Sequence, residues 1–251
     1  LDEKINRAEN SRINQIKFEG SNLPPGTIIF DGSQDLFLAA VACEEGVFYS
    51  CEVEARKNLQ EKLFSTLFEL LESAGFKRPH QQPLLAVGCG PGSYTSVRVS
   101  VAAGRAMAQA AGSPVLILDS LEIVARSYWL LNSCALGKVA IVRDAKMNQV
   151  YLAGYELDSD IKKIHPVQIF GIEEAKRFLR ENHYLTVISD TFSVYSFFKD
   201  LNFLEVRPRA IGLISTALEK YKEGTLSTWE KLLPVYLRVS YAEMKYDANQ
   251  G

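Results

Sequence analysis

The chain has 251 residues, of which 47% are hydrophobic and 23% charged, with 28 basic side chains against 30 acidic ones. That length and composition exclude a wholly disordered chain and suit one large domain or two modest ones. The near balance of charge leaves no basic surplus for neutralising a long run of phosphates, so strong nucleic-acid binding through net charge is excluded, although a local patch is not.

No apolar run approaches the roughly 18 residues that a membrane span needs. Residues 1–14 are charged and lack an apolar stretch, so they are not read as a secretory signal, and a cytoplasmic protein is expected. Cys43, Cys51, Cys89 and Cys134 form no C-x-x-C pair and read as small core residues in a reducing compartment.

Taken in chain order, residues 1–24 are polar and run into Leu23-Pro24-Pro25-Gly26, which predicts a loose extension. Strand-like runs at 27–30, 36–43 and 47–53, separated by Asp31-Gly32 and Glu44-Glu45-Gly46, predict an antiparallel meander. A helix follows, with Asn58 as its cap, Glu61 three residues on, and Gly75 at its end. Its apolar stripe, Leu59, Leu63, Phe64, Leu67, Phe68, Leu71 and Ala74, is broader than one sheet contact needs. Next come a buried strand at 84–87, a glycine loop, a helix at about 94–111, a strand at 115–118 and a helix from Ser120.

The second half repeats that order, with strands at 138–142, 150–155 and 163–169, a helix at 173–182 and a strand at 185–189. Helices at about 194–199 and 210–222 complete it, and no residue-level repeat accompanies the pattern. Mixed sheets flanked by helices pack such a pattern, giving an α/β protein of two similar lobes. The expected divisions are an extension at 1–24, lobes at 25–118 and 119–240, and a tail at 241–251.

Gly90, Pro91, Gly92, Ser93, Tyr94, Thr95, Ser96, Val97 and Arg98 stand between a buried strand and a helix. Glycines there allow a sharp turn and leave helix-start N–H groups free for an anion. The spacing matches neither G-x-G-x-x-G nor a P-loop, so it favours a packing turn over a phosphate cradle. In the helix behind, Ser100, Ala103, Gly104, Met107, Ala108 and Ala111 form one stripe of mostly small side chains, with Arg98, Arg105 and Gln109 on another face. Small side chains let helix axes approach closely, and the stripe serves either the chain's own sheet or a second subunit.

Asp31, Gly32 and Ser33 read either as a hairpin turn or as a loop approaching nucleotide phosphates. Ser93 lacks the G-x-S-x-G context of a nucleophile elbow, and nothing marks His80, His165 or His183 as a general base. No clustered Cys/His set supplies the ligands of a catalytic metal.

The run 90–98 is similar to the G-P-G-S-F-T-G-L-R signature of the TsaB (YeaZ) family, with Tyr94 for phenylalanine and Ser96 for glycine. Residues 103–107 fall in that family's small-residue helix, Gly112-Ser113-Pro114-Val115 resembles G-I-P-V, and Asp119-Ser120-Leu121-Glu122 resembles S-S-L-E. Further on, Asp144-Ala145-Lys146 and Val150-Tyr151 resemble D-A-R and V-Y, Arg207-Pro208-Arg209-Ala210 resembles a proline-alanine helix start, and Pro234-Val235-Tyr236-Leu237-Arg238 resembles P-x-Y-L-R. The resemblance spans about 27–240. Asp31-Gly32-Ser33-Gln34 departs from the usual D-T-S-T, and Leu59-Gln60-Glu61 from H-S-E.

This resemblance implies two actin-like, RNase H-like lobes of the ASKHA superfold. It also implies a subunit without a catalytic set, which supports TsaD in transferring threonylcarbamoyl to adenosine 37 of tRNA. TsaD would pair with the first-lobe helices and TsaE would join as an ATPase; the same helices would also serve a homodimer, and tRNA contact would be mainly indirect. No cofactor is required on this reading, and ATP or ADP has a place only at the partner interface. Leu63, Leu67, Leu71, Ser100, Ala103, Gly104 and Met107 are then the expected partner contacts. An alternative is an ATP-dependent small-molecule kinase of the same superfold, with Asp31, Gly32 and Ser33 at the phosphates and Asp144 or Asp190 as its second-lobe aspartate. A protease reading lacks any metal or triad signature. On the partner reading, Gly104→Leu is expected to abolish co-purification with TsaD while leaving the circular dichroism intact.

Overall fold

The computed structural model describes residues 13–55, 58–76, 82–132, 136–235 and 237. The expected tail 241–251, Cys134, His80 and parts of the Pro234–Arg238 match lie outside them. The first sheet holds β1 (Ile13–Lys17), β2 (Ile28–Asp31), β3 (Leu36–Ala42), β4 (Val47–Glu54), β5 (Leu85–Gly88) and β6 (Val115–Leu118), in the order β1-β4-β3-β2-β5-β6. The second holds β7 (Gly137–Lys146), β8 (Gln149–Leu157), β9 (Ile161–Gly171), β10 (Thr186–Ser189) and β11 (Asn202–Glu205), in the order β11-β10-β7-β8-β9.

Strands β2 and β5 are buried along their whole length, as their unbroken apolar runs require of central strands covered on both faces. With β1 set aside, the first sheet runs third-second-first-fourth-fifth strand, and the second sheet repeats that order. The repeat expected from the sequence is therefore a repeat of topology. In both sheets the first three strands are antiparallel and the last two join in parallel.

The helices are α1 (Leu59–Ser73), α2 (Tyr94–Ala111), α3 (Ser120–Leu131), α4 (Ile172–Glu181), α5 (Tyr195–Phe198) and α6 (Ala210–Lys222). They and the sheets stack in five layers. Helices α1 and α2 cover one face of the first sheet, with Leu63, Leu67, Leu71, Val97 and Val101 against Ile28, Phe30 and Val87. Helix α6 covers the other face through Leu213, Ile214 and Ala217. Helix α3 lies on the second sheet through Leu121, Val124 and Ala125, and α4 and α5 close its far side. Lys163 of β9 pins the start of α3, at 2.8 Å from Asp119 and 3.0 Å from Glu122, and Arg126 adds a 3.1 Å contact to Glu122. Burial acts to raise the Glu122 carboxyl, but Lys163 and Arg126 outweigh it and hold the group below its ordinary value.

Four expectations need correction. Residues 1–24 are not uniformly a loose extension: Ile13–Lys17 pairs antiparallel with β4, Ile13 and Ile16 pack on opposite sides of the sheet, and Phe18 meets Phe48 edge-on at 5.9 Å. Residues 202–205 form a fifth strand of the second sheet, unread because only two apolar residues, Phe203 and Leu204, stand between the polar Asn202 and Glu205. Asn58 makes no side-chain cap; its carbonyl accepts the Glu61 N–H at 3.1 Å instead. Finally, the chain does not divide at 118/119, because α6 seals the first sheet and Leu232 enters the core beneath α1 and α2. Each face of a sheet needs an apolar cover, and the nearest one comes from the far end of the chain.

Helices α3 and α6 meet where Gly212 faces Ser127, whose hydroxyl donates to the Ile123 carbonyl at 2.7 Å and accepts from the Arg209 N–H at 2.9 Å. Among the described residues no helix is long and apolar enough to cross a membrane. A Cβ on Gly212 would lie 2.6 Å from the Ile123 carbonyl oxygen and 2.7 Å from the Ser127 nitrogen, both rigid backbone atoms. Gly212→Ala is therefore expected to lower stability by about 1–3 kcal/mol, the usual cost of overpacking; an unchanged urea midpoint would remove this contact from the account.

Candidate functional site

Two surfaces collect the residues singled out by the sequence. The first is the cleft where the carboxyl ends of β2, β5, β7 and β10 face one another. Asp31 ends β2, and its carboxylate accepts the Ser33 N–H at 2.8 Å and the Ser33 hydroxyl at 3.1 Å. Gly32 rests on the start of α1 and on Ser100 of α2, since a Cβ there would sit 2.8 Å from a Leu59 methyl and 2.5 Å from Ser100 Oγ. The loop after β5 docks on this turn: the Ser93 N–H donates to the Ser33 carbonyl at 2.8 Å, and a Cβ on Gly92 would land on that same carbonyl. A Cβ on Gly88 would strike the Asp31 carboxyl. The other side of the loop joins α3, as the Gly90 N–H donates to Ser120 Oγ at 3.1 Å and the Ser120 N–H returns to the Gly90 carbonyl at 2.9 Å.

The N–H groups of Gly90 and Ser93 are thus bonded within the chain, and Pro91 has none. That pattern fits the packing turn of the two readings. From the second lobe, Arg143 near the end of β7 enters the cleft buried, paired with Asp190 beyond β10 and reaching Ser33 and the Pro91 carbonyl. The aspartates named for a kinase are both engaged: Asp190 by Arg143, and Asp144 by the Lys146 N–H at 2.7 Å, Lys146 Nζ at 2.7 Å and the Ser193 hydroxyl at 3.3 Å. Arg143 went unnamed in the sequence; its signal was a charge directly after the apolar run Val139, Ala140, Ile141 and Val142. Burial pushes the thiols of Cys51 and Cys89 up to about 12, so neither is a nucleophile near neutral pH.

The second surface is the outer side of α1 and α2. Here the expected contact residues are corrected: Leu63, Leu67, Leu71, Ser100, Ala103 and Gly104 are all buried toward the chain's own sheet, and Met107 is half-buried against the same core. Gly104→Leu would not leave the fold intact, because even a Cβ there lies 2.8 Å from Val87 and 3.1 Å from Leu232. The exposed side belongs to their neighbours. Phe64 and Phe68 are 42% and 45% exposed and stack on each other with ring centroids 6.3 Å apart. On α2 the outward row is Arg98, Ala102, Ala106 and Ala110, at four-residue spacing, with the Arg98 guanidinium 4.5 Å from the Tyr94 ring centroid. Ser93 and Thr95 are exposed at its start.

Comparison with known proteins accords with this geometry. Residues 53–175 match the family model described as TsaD, tRNA N6-adenosine threonylcarbamoyltransferase. The chain is 27% identical over 215 residues, covering 78% of it and 89% of the relative, to the tRNA threonylcarbamoyladenosine biosynthesis protein TsaB of Haemophilus influenzae. A second relative, TsaB of Bacillus subtilis, is 23% identical over 208 residues, covering 78% of this chain and 86% of that one. The chain resembles the TsaB (YeaZ) proteins over 78% of its length. A crystal structure titled an uncharacterized protein with similarity to peptidase YEAZ, from Pseudomonas aeruginosa, superposes with a TM-score of 0.75 at 23% identity, covering 86% of this chain and 100% of that one.

The loop at 90–98 has a clear physical task. Its glycines let the turn after β2 and the start of α3 press on it from both sides, and the helix it opens presents Arg98 and the alanine row outward. Burial holds the Asp31 carboxyl above its ordinary value of 3.8, partly offset by Arg143 and by bonds from Ser33 and Ser120. A raised folded-state value means that this group's stabilising contribution is complete below the unfolded value and is lost as pH rises through the folded one. Asp31→Asn removes that titration, so the variant should gain stability relative to the native chain between about pH 4 and about pH 8. Urea unfolding at the two pH values checks it, and an identical difference at both would show that Asp31 titrates as in the unfolded chain.

Proposed function

We propose that this chain acts in threonylcarbamoyladenosine biosynthesis on tRNA as a supporting subunit without chemistry of its own, holding TsaD on the outer face of α1 and α2. The observation that carries this reading is the exposed pair Phe64 and Phe68 on α1, beside the row Arg98, Ala102, Ala106 and Ala110 on α2, the helix that the loop at 90–98 opens. Stacked aromatics are strong contributors at protein interfaces, and a row of alanines lets a partner helix approach closely. The cleft supports the same reading from the other direction, since Asp31, Ser33, Asp144 and Asp190 are bonded to groups of the chain itself.

On this proposal TsaE joins the pair as an ATPase, nucleotide enters only where the subunits meet, and tRNA contacts are mainly indirect. Without TsaD, the same face serves a homodimer. The decisive experiment is complementation: this chain should restore threonylcarbamoyladenosine, measured in tRNA nucleosides by mass spectrometry, in cells depleted of their own TsaB. Failure of the well-expressed native chain to do so would end the reading.

Two sets of variants separate surface from core. Phe64→Glu with Phe68→Glu, or Ala106→Arg alone, should weaken TsaD binding by about 30-fold or more, as loss of an interface hot spot of about 2 kcal/mol does. The melting temperature should hardly move, because these positions face outward. Leu67→Ala, by contrast, should cost about 2–5 kcal/mol of stability. Unchanged affinity in the first set, measured by titration calorimetry, would place the contact elsewhere.

A further inference from the structure

Arg143 differs from every other cation among the described residues in its degree of burial, with 1% of its side chain exposed. Its guanidinium has partners in both lobes. Nε donates to Asp190 Oδ1 at 3.1 Å and Nη2 donates to Asp190 Oδ2, within its own lobe. Nη1 crosses the cleft, donating to Ser33 Oγ at 3.3 Å and to the Pro91 carbonyl. The Ser33 hydroxyl in turn donates to Asp31, whose carboxylate feels the guanidinium charge. A planar five-donor fork that never loses its charge suits this bridging, which a flexible point charge such as lysine would not reproduce.

The location matters as much as the contacts. In each sheet the strand order reverses beside the first strand, between β2 and β5 and between β7 and β10. The crevice outside the carboxyl ends of strands at such a reversal is where open α/β sheets take their ligands. Here Arg143 and Asp190 come to that point from the second sheet, while Ser33 and Pro91 come from loops after β2 and β5.

We propose that Arg143 is an interlobe latch: it sets the placement of the two sheets by joining Asp190 to the Ser33 turn and the Pro91 loop, and it engages the Ser33 hydroxyl and its own N–H donors, the groups that an anion entering the cleft would need. The angle between lobes is then set by contacts within the chain itself, and the outer helix face is held in one position relative to the second lobe without a bound ligand. This inference does not depend on the identity of the partner.

The test is amide hydrogen exchange on the full chain. Arg143→Met combined with Asp190→Asn removes the bridge without leaving Asp190 as a buried carboxylate stripped of its partner, while Asp31 keeps its bonds from Ser33. Exchange at the first-lobe amides of Ser33 and Ser93 should rise at least tenfold, while β8 amides in the substituted lobe keep their protection. A rise confined to the second lobe, or none at all, overturns the latch. Should the double variant not fold, Ser33→Ala reads the same bridge from the opposite side and should speed exchange at Thr191, whose N–H donates to Ser189 Oγ at 3.2 Å beside Asp190; unchanged exchange there also overturns it. Magnesium ATP is the probe for the closed cleft: it should leave Ser33 and Ser93 exchange in the native chain unaltered, and protection of either amide would show that an anion enters where the latch sits.

Discussion

Helices α3 and α6 touch backbone to backbone at Gly212, and that contact fixes the distance between the two sheets. Each sheet has two apolar faces to cover, and the inner face of each is covered by only one of these helices. They must therefore share a single layer. A wider spacing would leave Ser127 unable to donate to Ile123 and accept from Arg209 at once, and would open voids on both inner faces. Because α6 follows the second sheet in sequence but seals the first, neither half of the chain can bury its own surface alone.

The cleft follows from that spacing. With the inner layer in place, the loops after β2, β5, β7 and β10 converge, and what fills the gap is polar but internally satisfied: Asp31 with Ser33, Ser33 with Ser93, Gly90 with Ser120, Arg143 with Asp190. Glycines at 88 and 92 are there because a methyl group would collide with Asp31 or with the Ser33 carbonyl. Two buried oxygens, Ser100 Oγ and Tyr155 Oη, have no hydrogen-bond partner among the described residues. Burying such groups unpaired is costly, which makes the dense pairing of the rest of the cleft the more telling.

On the outside, α1 and α2 carry more apolar surface than their sheet can take. Their leucines and valines go inward, and Phe64, Phe68 and the outward alanines are left over. A stripe of small residues does not by itself say which side it faces. Ser100, Ala103 and Gly104 proved to be the side that lets α2 lie close on β5, whereas Ala102 and Ala106 lie about a quarter-turn or more away around the helix.

From sequence alone the doubled order of strands and helices, the α2 boundaries, the meander and the resemblance to TsaB (YeaZ) proteins could all be read, because period, turn chemistry and a nine-residue signature are local properties of the chain. The broad stripe on α1 also announced surplus apolar surface. Which members of that stripe are surplus could not be read, since a helix face is assigned only when a sheet lies against it. The same holds for β1, whose five residues, three of them polar, become a strand only beside β4, and for α6, which joins the first lobe across an intervening sheet. Arg143 is the clearest case: its meaning rests on Ser33, Pro91 and Asp190, residues 110, 52 and 47 positions away, and only the folded chain brings the four together.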